Sequence, residues 1–359
     1  MWPYFVMVAV PAAIAIFDCV LNRQNTHKST ITAFFLIFLI LLLFRSYEVG
    51  IDCAAYEFLY KIAMKHSWPY AFAHAFSMEY EAGYYFLSKI IAVFTHNFRA
   101  IIVVAAITSL VPIWYMYREN IRNHLFLAIV IFLNVGLFAI YFSALRQVMA
   151  MSFMVPAYYF TKKRKPLLFA LMAVFALLMH KSAFIILLFY PVYYIRMKWY
   201  YMFVAASITT VFVFIFRNWL FNLFGSWFSS LYDAEIKQTS AISIFLLLIA
   251  MVVFSFVVPD NNAMDDDSLG LRNILVLAGI LQIFAGVNPV AMRMNYYFLL
   301  FVPIAVTRVF DYTHPKNIMV SEVALLTMLG FFTAYYFYNA TFGADTLSVY
   351  PYIPFWRSA

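Results

Sequence analysis

Residues 141–150 read YFSALRQVMA. Two apolar runs, 124–143 and 147–161, meet there, with Arg146 and Gln147 at the junction. A guanidinium between two such runs marks a place where the chain turns at a membrane surface instead of continuing through hydrocarbon. The second run ends in TKKRK (161–165), four basic residues in a short connection. Short Lys/Arg-rich connections stay in the cytoplasm. Arg146 is therefore expected on the opposite, external side.

The rest of the chain extends this pattern. Of its 359 residues 66% are hydrophobic and 11% charged. One soluble core of that length would not hide so much apolar surface. Windows of span length recur from end to end. They fall at 2–20, 31–45, 100–117, 124–143, 147–161, 166–180, 182–195, 200–216, 241–258, 271–288, 294–310 and 318–338. The expected fold is an all-α polytopic membrane protein of about twelve transmembrane helices, one domain over 1–359. The first run lacks a basic flank and a small-residue cleavage site, and reads as a retained span.

Three further basic connections, YRENIRNH (117–124), IRMK (195–198) and TRVFDYTHPK (307–316), join TKKRK inside. Turns 144–147, 180–182 and 289–293, the loop 217–240 and the C-terminal tail then fall outside. Loop 21–30, with Arg23 and Lys28, is also placed inside, which puts Arg45 outside. Parity then requires 79–98, with Lys89 in mid-run, not to cross. It becomes an interfacial or re-entrant helix within a long external loop, 46–99.

That external side collects Arg45, Asp52, Glu81, Arg146, His180 and Arg293. Each has a plain explanation. Arginines at span ends snorkel to headgroups, a histidine suits a helix C-terminus, and loop carboxylates are ordinarily solvated. Their combination is unusual, because positive-inside bias should deplete arginine from short external turns. Arginine offers phosphate a planar fork that keeps its proton, and a histidine or carboxylate beside it would take a proton from a sugar hydroxyl. The implied reaction is displacement of a lipid diphosphate from an anomeric carbon by a hydroxyl. The arginines would meet the charge that grows on the leaving group.

Arg146 and Arg293 are the expected diphosphate ligands, with Arg45 third. His180 is the expected base, with Glu81 and Asp52 as alternatives. Gln147, Tyr56, Tyr297 and Ser182 are expected around them. No metal-ligand spacing is present, and neither metal, cofactor nor nucleic acid is expected. The acidic DDD at 265–267 reads as a solvated cytoplasmic loop. Cys19 and Cys53 are not expected to pair. The net charge of +8 fits anionic headgroups or an anionic substrate.

Five short patterns occur in order: R-x4-G-x-D-x3-Y from Arg45 to Tyr56, E-x-G-Y from Glu81 to Tyr84, R-Q-x2-A from Arg146 to Ala150, H-x-S-A from His180 to Ala183, and R-x3-Y from Arg293 to Tyr297. With VYPYIPFW near the C-terminus, they resemble the EpsG family of Wzy-type polysaccharide polymerases. Ala82 stands where the family often has proline, and Cys53 where it often has an aromatic residue. The resemblance implies a GT-C-like glycosyltransferase of the bacterial inner membrane, acting on its periplasmic or outer face. It implies undecaprenyl-diphosphate-linked glycans as donor and acceptor, in a lipid bilayer, with a flippase and a chain-length regulator as partners. The rival readings are a transporter of lipid-linked oligosaccharide, a glycan ligase with nearly the same site, and an acyltransferase. Mid-span regions nearly free of charge speak against ion-coupled transport.

Overall fold

The computed structural model describes residues 2–20, 27–76, 81–228, 242–343, 345 and 347–357. Among these the regular structure is helical, with no strand. In chain order the first helices are α1 (Trp2–Val20), α2 (His27–Phe44), α3 (Cys53–Lys65), α4 (Trp68–His74), α5 (Ala82–Phe94) and α6 (Arg99–Asn120). A run of short helices follows: α7 (Leu125–Asn134), α8 (Leu137–Ser143), α9 (Leu145–Ser152), α10 (Met154–Lys162), α11 (Pro166–Met179) and α12 (Phe189–Tyr193). The last are α13 (Trp199–Phe228), α14 (Ile242–Val257), α15 (Asp266–Ala285), α16 (Pro289–Leu299), α17 (Val302–Asp311) and α18 (Ile318–Phe342).

Among the described residues, four helices are long and apolar enough to cross a membrane, and five if the bent pair α7–α8 counts as one span. Six shorter apolar helices of 10–17 residues accompany them. The twelve expected spans are thus resolved into fewer long helices and many broken ones. Proline accounts for two of the breaks. The expected span 147–161 stops at Ser152, four residues before Pro156, and the expected span 294–310 stops at Leu299, four residues before Pro303. A proline ring clashes with the carbonyl four positions earlier and supplies no N–H to it. Hydropathy averages over such breaks and does not register them. The expected span 182–195 divides as well, into a 3-10 helix (Lys181–Leu188) and α12.

Among the described residues of 46–99, expected to hold one non-spanning helix, there are three, α3, α4 and α5. The 13 residues of α5 reach about 20 Å at helical rise, short of a hydrocarbon core of about 30 Å. Lys89 within it is buried, its ammonium on the His66 carbonyl and 5.6 Å from the Trp68 ring centroid. A charge in mid-run is tolerated there because a backbone acceptor and an aromatic face receive it. Of the expected loop 217–240, residues 217–228 continue α13, and 229–240 lie outside the described residues.

The chain was expected to form one domain over 1–359; its contacts group into two compact units. The first comprises 1–120, 136–184 and 332–359, and the second 121–135 and 185–331. In the first unit α6 packs on α2 and α9, α3 on α5, and α11 on α5, α9 and α10. The C-terminal tail runs beside residues 45–51. Ser46, Gly50 and Ile51 donate their N–H groups to Ile353, Ser348 and Leu347 at 2.7, 2.8 and 3.0 Å. The Tyr4 hydroxyl donates to the Val349 carbonyl at 2.6 Å. The VYPYIPFW stretch is therefore a strap over the segment that carries Arg45.

In the second unit α15 is the central helix, packed by α12, α13, α14, α16 and α17. Its start corrects the reading of 265–267 as a solvated loop. Asp265 caps the helix, accepting the Ser268 N–H at 2.7 Å and the Tyr312 hydroxyl at 2.7 Å. Asp267 accepts the Tyr193 hydroxyl at 2.8 Å. The buried Arg308 guanidinium lies 3.8 Å from Asp265 and 3.6 Å from Asp267. Acidic residues at a helix N-terminus complement its dipole, so three adjacent carboxylates are tolerated here for structural reasons.

Candidate functional site

Three segments of the first unit place the site. The first is the start of α5. Glu81 precedes the helix with an extended backbone, φ −69° and ψ 133°. A Cβ on Gly83 would sit 2.6 Å from the Leu178 carbonyl oxygen. Glycine at that position lets α5 lie directly against α11, which brings Glu81 to the end of α11. The second segment is that end. His180 closes α11 with φ −156° and ψ 128°, and its N–H still bonds to Ala176 at 2.9 Å. The third is α9, whose second residue is Arg146. Ala144, at φ −91° and ψ 71°, breaks the path from α8 to α9 and lets Arg146 begin a new helix.

One carboxylate joins the three. Glu81 Oε2 pairs with Arg146, while Glu81 Oε1 lies 3.3 Å from His180 Nδ1 and accepts the Lys181 N–H at 3.0 Å. The Glu81 side chain is 6% exposed and that of Arg146 24%. Burial by itself would raise the Glu81 pKa. The Arg146 charge, His180 and the Lys181 N–H outweigh it and hold the carboxyl below its ordinary range. The Arg146 guanidinium also lies 5.3 Å from the Tyr56 ring centroid and 5.9 Å from that of Tyr84. Two aromatic faces and one carboxylate thus aim a cation that keeps an exposed edge. The Ser182 N–H points at His180 Nδ1 from 3.3 Å, which fixes the ring from a second direction.

The expected residues divide as follows. Glu81, Arg146, His180, Ser182 and Tyr56 come together. Gln147 follows Arg146 on α9 and is fully buried. Asp52 precedes α3, is half-buried, and makes no capping bond with its side chain. Arg45, expected at the diphosphate, is 1% exposed, and its guanidinium donates to the Val49 and Phe142 carbonyls. Arg293 and Tyr297 lie on α16 in the second unit, Arg293 half-buried and Tyr297 fully buried. In the same helix the Asn295 side chain donates to Ala278 O at 3.0 Å and to Gln282 Oε1 at 2.8 Å, tying α16 to α15.

Two contributors escaped the sequence reading. Tyr84 stood in the E-x-G-Y pattern without a role, and the Lys181 backbone N–H has no side-chain signature. Chemically the cluster offers a partly exposed cation for an anionic group beside an imidazole held by a carboxylate. A family model, described as the EpsG family, matches residues 28–353. No curated protein and no solved structure matches the chain.

Proposed function

The chain belongs to the EpsG family of Wzy-type polysaccharide polymerases, and from that premise we propose that it polymerises oligosaccharide repeat units carried on undecaprenyl diphosphate. The observation that carries this reading is the Glu81 carboxylate shared between Arg146 and His180.

In this mechanism Arg146 receives the donor diphosphate at its exposed edge. Arg293, in the second unit, is also proposed to bind diphosphate, on the strength of the family pattern alone. In the working state the Ser182 N–H turns away from His180 Nδ1, that nitrogen carries its proton toward Glu81 Oε1, and Nε2 accepts a proton from the acceptor sugar hydroxyl. The hydroxyl oxygen bonds to the anomeric carbon. The bond from that carbon to the diphosphate breaks, and its electron pair leaves with the lipid diphosphate. Arg146 stabilises the charge arriving there. Tyr56 and Tyr84 flank the Arg146 guanidinium, and Gln147 and Asp52 are assigned to sugar contacts on the strength of the family pattern alone. No step calls for a metal.

The site is assigned to the outer face of a bacterial inner membrane, where a flippase would deliver the repeat units and a chain-length regulator would set the product. Two experiments test this. Full-length protein purified into liposomes and given a lipid-linked repeat unit should produce a glycan ladder; transfer of intact units across the bilayer with no new glycosidic bond would replace the polymerase reading by a transporter. In intact cells, Lys181→Cys should react with an impermeant thiol reagent and Arg122→Cys, at an exposed position of a basic connection, should not. The reverse pattern would place the site inside.

A further inference from the structure

We infer that Arg45 is a positioning residue, which with Gly50 grips the Phe142 carbonyl and thereby sets Arg146 against Glu81. This rests on the proposed role of Arg146 only for its consequence, and the test separates the two.

The argument starts from the break at Ala144. Carbonyls in the last turn of a helix have no intrahelical N–H partner. Phe142 lies in the last turn of α8, and its carbonyl faces buried surroundings. An unpaired carbonyl there would be costly. Three parts of the chain, Arg45, Cys53 and Gly50, converge on it. The Arg45 guanidinium donates to this carbonyl and to that of Val49. The guanidinium carbon also lies 5.7 Å from the Phe142 ring centroid. The Cys53 thiol lies 3.8 Å from the same oxygen and 3.6 Å from Val49 O. Gly50 has φ +107°, and a Cβ built on it would overlap the Phe142 carbonyl oxygen. Glycine is thus required there twice, for its backbone conformation and for the space.

The consequence is geometric. Arg146 follows Phe142 by four residues, across the only non-helical residue between α8 and α9. Holding the Phe142 carbonyl therefore fixes where α9 begins. The Arg45 guanidinium is committed to two backbone carbonyls, whereas the Arg146 side chain keeps an exposed edge. The first R-x4-G pattern then works on the backbone of α8, and the charge that meets substrate comes from α9.

The test reads arginine reactivity in the purified full-length protein, using phenylglyoxal and mass spectrometry, with no substrate present. In the wild type Arg146 should be modified and Arg45 should not. Gly50→Ala should speed Arg146 modification about fivefold and Arg45→Lys about twofold, because the pair with Glu81 is loosened. Arg45→Lys, which retains a donor, should be the milder of the two. Gly50→Ala retains every charge, so a change there reports position alone. Unchanged Arg146 rates in both variants, or ready modification of Arg45 in the wild type, would overturn the inference. Both wild-type readings stand even if a variant does not fold. Adding inorganic pyrophosphate to the wild type then tests the other claim. Failure to protect Arg146 would remove the diphosphate role and leave the clamp judged on the first data.

Discussion

Cells carrying Arg146→Ala will make single-repeat glycan and no polymer, with the protein present in the membrane. The expected loss is at least about 10²–10³ in turnover, the scale for deleting one donor aimed at a developing anion. The substitution also leaves Glu81 charged, 6% exposed and without its guanidinium. Removing one partner of a buried pair costs about 3–5 kcal/mol, so reduced folding is a competing cause of inactivity. Arg146→Gln combined with Glu81→Gln removes both charges and should restore membrane levels without restoring polymer. Arg146→Lys should remain impaired, since an ammonium keeps the charge but loses the fork that holds both Glu81 and a phosphate. Glycan electrophoresis beside an immunoblot reads all three. Full-length polymer from Arg146→Ala would end the assignment of this residue to the substrate diphosphate.

The second large effect divides binding from chemistry. His180→Ala should lower turnover by about 10²–10⁴, the usual contribution of a positioned base, while the apparent KM for the lipid-linked unit stays the same. Glu81→Gln should behave differently. It frees Arg146 from its internal counter-ion, so KM should fall, yet turnover should also fall because the imidazole loses the carboxylate that orients it. A variant with lower KM and lower turnover is the signature of an internal anion that competes with substrate. If both variants raise KM alone, neither residue acts in the chemical step. The pH dependence follows from the same contacts. The Glu81 pKa is depressed in the folded protein, so its contribution to stability is fully present above the unfolded value of about 4.3. That contribution is lost only as pH falls through the lower folded value. Ionisation of Glu81 should therefore leave the rate profile between about pH 5 and 8 unshaped. An acid limb there that persists in His180→Ala and disappears in Glu81→Gln would contradict this.

Much of the site was readable before any coordinates. Glu81, Arg146 and His180 each stand out because a charged or titratable side chain interrupts apolar sequence, and interruptions of that kind are rare in membrane segments. The order of the short patterns added the family. What was not readable depends on backbone. Arg45 looked like another external arginine, but its partner is a carbonyl 97 positions away, and carbonyls leave no trace in a sequence. Lys89 was read as a reason for α5 to lie flat, yet its partner is again a carbonyl, that of His66. The breaks within the expected spans were not readable because a hydropathy window weighs side chains and ignores what Pro156 and Pro303 do to the helix four residues earlier. The acidic run at 265–267 was mistaken for a free loop because its partners Tyr193, Arg308 and Tyr312 come from distant parts of the chain.

The strap formed by the C-terminal tail has a bearing on biosynthesis. Membrane proteins are threaded into the bilayer from the ribosome, first residues first. The segment from Arg45 to Ile51 is therefore translated long before Leu347, Ser348 and Ile353, the acceptors of its backbone N–H groups. The bond from Tyr4 to Val349 spans 345 positions. Until those late residues arrive, the segment that carries Arg45 and Gly50 lacks these backbone acceptors. A nascent chain still attached to its ribosome would hold every side chain of the Glu81 cluster before the segment that carries Arg45 had its backbone acceptors, so full activity is expected only after translation has reached the tail.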